Sequence, residues 1–188
     1  PLLHSNITNK ESLELKIITL INQGFESIKI KVARQPLEKD IETINHITPL
    51  LPPNVSLRLD ANGLLDFNTA LEFGRNINPK PIEYLEEPFK DINKIPEFHA
   101  ATALSIAMDE SLQRRNPQDF TPPQGVTALI LKPTLLGGIR KCLEFIELSK
   151  EKKLTPIISS CFETLPGHHM LTQLAASIDF TDSPSGLD

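Results

Sequence analysis

The stretch IKIKVA, residues 28–33, alternates apolar and charged side chains. Successive side chains on a β-strand point to opposite faces. A strand here sets Lys29 and Lys31 on one face and Ile28, Ile30 and Val32 on the other. Its β-branched residues favour a pleated, buried surface. Two ammonium groups side by side on such a strand need either solvent or a strongly negative surface opposite them. The neighbouring runs decide which.

Five further short apolar runs follow, at 55–61 (VSLRLDA), 81–86 (PIEYLE), 104–109 (LSIAMD), 128–132 (ALILK) and 155–160 (TPIISS). Helical patterns separate several of them. Residues 12–23 carry Leu13, Ile17, Leu20 and Ile21 on one helical face, with Thr8 to Glu11 as a capping box before it and Gly24 as its stop. Residues 38–51 repeat the pattern with Ile41, Ile44 and Ile47, residues 66–78 with Ala70, Leu71, Phe73 and Ile77. Residues 139–152 place Ile139, Cys142, Leu143 and Ile146 at helical spacing. The connections after the 81–86 and 104–109 runs are broken by proline, so short helices are expected there.

Strand followed by helix, repeated, means parallel strands with helical crossovers. The strand ends fall at 31, 60, 86, 109, 132 and 160, spaced 29, 26, 23, 23 and 28 residues apart. Units this even favour an α/β fold of the (β/α) TIM-type barrel class over an open doubly wound sheet. A complete barrel has eight strands in about 250 residues, whereas these 188 residues supply six whole units. PLLHSN at the start reads as the tail of an earlier strand, and SPSGLD at the end as the approach to a last one. The barrel is therefore expected to be incomplete, and residues 1–188, opening on Pro1, are read as one barrel domain of a longer polypeptide.

A net charge of −5 without a Lys/Arg stripe argues against a nucleic-acid partner. No run approaches the ~18 apolar residues of a membrane span. Cys142 and Cys161 form neither a CxxC pair nor a disulfide framework, which suits a reducing, cytoplasmic setting.

Charged residues collect at the strand ends: Lys31, then Asp60, Glu86, Asp109 and Lys132, with Ser160 on the last. In a barrel that end holds the active site. Alternation places Arg58 with Asp60, Ile82 and Tyr84 with Glu86, Ala107 with Asp109, and Ile130 with Lys132, each set opposite the apolar face suited to the helix layer. Three converging carboxylates repel one another and raise one another's pKa. A hard divalent cation removes that cost, and all-oxygen ligands suit Mg²⁺. Lys29 and Lys31 then face a carboxylate cluster and an anionic substrate, and their mutual repulsion beside a metal is expected to lower the pKa of at least one, as a base requires.

The segments IKIKV, LRLDANG, EYLEEP, IAMDES and LILKPTLLGG resemble the enolase superfamily in its muconate-lactonizing subgroup. LEEPFK, DESL, KPTLLGG, ISSCFET and LTQLA bring the chain nearest to the o-succinylbenzoate synthases within it. The resemblance implies that Asp60, Glu86 and Asp109 bind Mg²⁺, that Glu87 lies on the other face, and that Lys31 is the base, tuned by Lys29 and opposed across the substrate by Lys132. It implies dehydration of a 2-hydroxy-6-succinyl-cyclohexadiene-carboxylate to o-succinylbenzoate, a step towards menaquinone or phylloquinone. It also implies an N-terminal α+β capping domain that residues 1–188 do not include.

Around that set, Asn62 is read as support for the metal site or a plain turn residue, and Ser159 and Ser160 as carboxylate binders or packing. Gly137 and Gly138 are read as backbone donors to an anion or a tight turn, and His168 and His169 as surface residues rather than substrate contacts. Racemisation of N-acylamino acids or epimerisation of dipeptides would use the same lysines and acids and is the near rival. A Schiff-base aldolase with Lys132 as nucleophile, or a barrel fragment without catalysis, are the remoter ones.

Overall fold

Seven strands pair in parallel and in chain order in a computed structural model that describes residues 1–4, 10–178 and 184–187. They are β1 (Leu2–His4), β2 (Ser27–Lys31), β3 (Ser56–Asp60), β4 (Ile82–Glu86), β5 (Ile106–Met108), β6 (Val126–Leu131) and β7 (Thr155–Ile158). An unbroken order of parallel neighbours means that every crossover winds the same way. This is the winding of a barrel wall, since an open doubly wound sheet reverses at a switch point. The even spacing of the strand ends thus gives the expected fold, a partial TIM-type barrel.

The opening residues form a strand paired in parallel with β2, with Leu2 beside Lys29 and Leu3 beside Ile30. At the other end Gly186 makes a parallel bridge to Ser159, on the free side of β7. The helices are α1 (Lys10–Asn22), α2 (Leu37–Ile47), α3 (Phe67–Arg75), α4 (Ile95–Thr102), α5 (Pro133–Leu136), α6 (Ile139–Lys152) and α7 (Leu165–Ser177). Thr8 of the capping box lies outside the described residues, while Gly24 closes α1 with φ +88°, a value that glycine adopts without a Cβ penalty. The crossover from β5 to β6 carries only a 3₁₀ turn at Glu110–Leu112. Phe120, also in that crossover, packs edge-on against Phe145 of α6.

Alternation sorts the strand residues into two cores. Ile28, Ile30, Leu57, Leu59, Leu85, Ile106, Leu129 and Leu131 pack with Ile17, Ile44, Phe73, Cys142 and Phe145 of the helix layer. A separate inner cluster holds Tyr84, Ala107, Ala128, Ile130 and Ile157. One expectation fails. Ile82 does not share a face with Tyr84 and Glu86, because the β3–β4 register steps from Leu57 beside Ile82 to Arg58 beside Tyr84. The extra residue on β4 is a bulge, which reverses the face of everything before it. Ile82 therefore joins the helix-side core. Glu83 instead accepts hydrogen bonds from Arg58 Nε (2.8 Å), Arg58 Nη2 (2.9 Å) and Ser56 Oγ (3.0 Å). Among the described residues, no helix is long and apolar enough to cross a membrane.

Candidate active site

The in-register ladder sets Lys31, Asp60 and Glu86 side by side on β2, β3 and β4. Glu86 lies beside Ala107 of β5, and Asp109, two residues further along, continues that face beyond the strand. Lys132 directly follows β6. The six charged residues chosen from the sequence thus meet at one end of the sheet. Asp60 and Glu86 are fully buried and Asp109 is 2% exposed. The lysine side chains retain some access to solvent, 23% at Lys29 and 17% at Lys31 and Lys132.

Lys29 Nζ bridges two of the acids. It donates to Glu86 Oε1 and Oε2, both at 2.7 Å, and lies 2.8 Å from Asp60 Oδ2. Lys31 Nζ donates to Asp60 Oδ2 at 2.6 Å and to Asn62 Oδ1 at 2.8 Å. Lys132 Nζ donates to Asp109 Oδ2. The negative surface demanded by two adjacent lysines is therefore present, and it is made of the predicted carboxylates.

Charge and burial compete at each group. Burial works to lower the pKa of Lys29, but the Glu86 and Asp60 carboxylates outweigh it and hold the ammonium above its ordinary range. The nearest charges to this ammonium are anions, which favour its charged form. Lys132 is raised for the same reason, its burial offset chiefly by Asp109. Burial alone would raise Asp60, yet Lys29 and Lys31 depress it. Glu86 is raised by burial and by repulsion from Asp60 and Asp109, which Lys29 offsets only in part. Asp109 is also raised, by burial first, with Lys132 opposing.

These acids suit a hard cation by their chemistry: three carboxylates on successive strands, with the central one left short of positive charge. Among the described residues, however, no three His, Cys, Asp or Glu side chains stand in a group that could hold a metal ion. Asp60 and Glu86 are drawn to Lys29, and Asp109 to Lys132. Gathering all three around one ion therefore requires the ammonium groups to release carboxylate oxygens.

The remaining candidates divide. Ser159 and Ser160 line a cavity of about 730 Å³ together with Lys29, Lys31, Glu86 and Lys132. Asn62, at φ +46°, is a hub: its N–H donates to Asp60 Oδ1 (3.0 Å), its Oδ1 accepts from Lys31 and Arg34, and its Nδ2 donates to Glu110. Gly137 requires a correction. It ends α5 with φ +102°, and its N–H donates to Pro133 O, so that donor is not free for an anion. The Gly138 N–H likewise donates to Pro133 O. His168 Nε2 lies 2.8 Å from Leu187 O at the cavity wall, and His169 is exposed. Cys142 is core, as its helical spacing suggests, and Cys161 reaches the cavity.

Sequence reasoning did not single out Arg58, Glu83 or Arg34. Alternation does put Arg58 inside, over the Tyr84 ring at 5.3 Å. Its partner Glu83 depends on the bulge, which leaves no mark in the residue pattern.

A family model described as enolase C-terminal domain-like matches residues 16–185. The chain belongs to this family. Among curated proteins, this enolase-type domain is 34% identical over 168 residues to o-succinylbenzoate synthases of Yersinia pestis and Yersinia pseudotuberculosis, covering 88% of this chain and 51% of theirs. It thus spans about half the length of the curated relatives it matches. Its fold superposes on the MenC of Desulfotalea psychrophila with a TM-score of 0.83 at 23% identity, covering 98% of this chain and 52% of that one. A dipeptide epimerase of Enterococcus faecalis gives 0.82 at 24% identity, covering 98% of this chain and 54% of that one. Identities this low speak for the fold and not for the reaction.

Proposed function

We propose that this domain carries the catalytic face of a cytoplasmic, Mg²⁺-dependent dehydratase that converts 2-hydroxy-6-succinyl-cyclohexadiene-carboxylate to o-succinylbenzoate, in menaquinone or phylloquinone synthesis. One observation carries the reading. Lys29 and Lys31 on β2 face Lys132 beyond β6 across three buried carboxylates, and the three lysines and Glu86 line a cavity of about 730 Å³, room for a small dicarboxylate. The similarity to o-succinylbenzoate synthases over most of the chain supports the choice of substrate.

In this reading Lys31 takes the proton from the carbon next to the ring carboxylate. The C–H electron pair forms a double bond to the carboxylate carbon, the charge that builds on the carboxylate oxygens is held by Lys29 and Lys132, and the pair returns to the ring as the hydroxyl leaves. The C–O bond to the hydroxyl then breaks, Lys31 returns the proton to the departing oxygen, and the products are water and the aromatic ring. Mg²⁺, held by Asp60, Glu86 and Asp109, supplies when bound the positive charge that most lowers the cost of that carboxylate's second negative charge, a pairing general to this superfamily. Ser159 and Ser160 offer hydroxyls to the substrate's carboxylates.

The test is turnover of the cyclohexadiene substrate by the full polypeptide carrying this domain, with Lys31→Ala beside it. Turnover by the parent protein and its loss in the variant are expected. Lysines on both sides of the site would also serve epimerisation, which needs a proton donor on each face. Epimerisation of dipeptides without turnover of the cyclohexadiene would replace the dehydratase reading with that one.

A further inference from the structure

Glu87 follows Glu86 directly, yet its side chain makes none of the lysine contacts. It is 5% exposed and its backbone takes φ +40°, a left-handed value uncommon for a residue with a Cβ. That turn separates the two glutamates: Glu86 stays among the lysines, while Glu87 reaches sideways to the end of β5. One oxygen, Oε1, accepts from the backbone N–H of Asp109 (2.8 Å), the backbone N–H of Ser111 (2.8 Å) and the Ser111 hydroxyl. The backbone of the same residue ties both neighbouring strands. Its N–H donates to Ala107 O at 3.1 Å, and its C=O accepts from the Gly63 N–H at 2.6 Å. Residue 87 is therefore bonded to the segments just beyond Asp60 and on either side of Asp109.

The Asp109 backbone needs such an anchor. It stands at φ −125°, ψ −85°, outside both strand and helix, with a 3₁₀ turn beginning at the next residue. A buried N–H at such a corner has no ladder partner and must find one elsewhere. The Glu87 carboxylate supplies it and thereby sets the direction in which Asp109 leaves the chain.

We infer that Glu87 is a positioning residue that holds the Asp109 carboxylate in place for the metal ion; this rests on the reading of Asp60, Glu86 and Asp109 as its ligands. The demand is for an oxygen acceptor rather than for charge, because all three donors meet one oxygen. Glu87→Gln keeps an oxygen at that position, whereas Glu87→Ala leaves three donors without a partner.

Two measurements on the full polypeptide test this. The first is amide hydrogen exchange across residues 107–112 in protein stripped of metal. Exchange should accelerate in Glu87→Ala and stay near the parent rate in Glu87→Gln. The second is Mn²⁺ affinity by electron paramagnetic resonance, which should weaken about 10-fold or more in Glu87→Ala, the usual scale for losing a partner of a metal ligand, and recover in Glu87→Gln. If Glu87→Ala does not fold, Ser111→Ala, which removes one of the three donors, should show smaller changes in the same direction. Unchanged exchange and unchanged Mn²⁺ affinity in a folded Glu87→Ala would overturn the inference. Asp109→Asn separates the two ideas. If it leaves Mn²⁺ affinity intact, the ligand assignment is wrong, and exchange alone decides whether Glu87 anchors the β5 corner. If it abolishes binding while Glu87→Ala does not, the ligand assignment stands and the positioning role falls.

Discussion

Lys31 and Lys132 each hold a carboxylate and stand at separate strand ends, but the proposed roles give them different signatures. A base that moves the proton twice is expected to cost about 10²–10⁴-fold in turnover when removed. Lys31→Ala should therefore lose kcat on that scale while Mg²⁺ still binds, as titration calorimetry can show. Lys132→Ala removes charge stabilisation and should lower kcat about 10²–10³-fold. Borohydride should trap no substrate adduct on Lys132 of the parent protein, since no Schiff base forms. A Lys132 adduct would move the protein to the aldolase class. The sequence disclosed these residues well because period-two alternation is a local property. Once 28–33 is a strand, the faces of Lys29 and Lys31 follow, and the same holds for Asp60 and Lys132. Glu87 was legible only as lying on the other face. Its anchoring role depends on a left-handed backbone and a neighbouring strand, neither of which a local pattern contains.

At the scale of elements, the parallel ladder aligns the site and the helix-side core holds the ladder. Leu59 is fully buried between sheet and helices, one residue before Asp60. Leu59→Ala should destabilise the protein by about 2–5 kcal/mol, read as a lowered midpoint in urea. The inner face is held differently at its lower end, by Arg58 and Glu83. Burial would raise the pKa of Glu83, but the hydrogen bond and charge of Arg58, then Ser56 and Ser27, depress it. A depressed carboxylate adds stability that is fully present above its unfolded pKa of about 4.3 and is lost as pH falls through the folded value. The urea midpoints of the parent and Glu83→Gln should therefore differ at pH 6 and converge as the pH is lowered through the acid range. A difference independent of pH would remove the ionised pair from the account. This pair went unread because the β4 bulge shifts Ile82 to the helix side, and alternation alone carries no sign of an inserted residue.

At the scale of the molecule, the seven strands of the described residues, in unbroken parallel order, place lysines from the second and sixth strand ends on opposite sides of the acids between them. Even spacing of the strand ends carries that architecture in the sequence itself, since each βα unit must return the chain to the same edge. The spacing did not reveal that the crossover between β5 and β6 is nearly helix-free, because Phe120 there reaches the core from an irregular segment. Nor did it reveal that the lysines occupy the carboxylates, which is a matter of charge balance rather than of pattern. The central claim is that these acids serve a divalent cation in dehydration. It is tested most directly by following turnover of the cyclohexadiene substrate by the full polypeptide through removal of metal with EDTA and titration with Mg²⁺. Activity should vanish in EDTA, return with Mg²⁺ in the parent protein, and fail to return at the same Mg²⁺ concentration in Asp109→Asn. Full turnover in EDTA, or restoration of Asp109→Asn at the parent's Mg²⁺ concentration, would contradict the account.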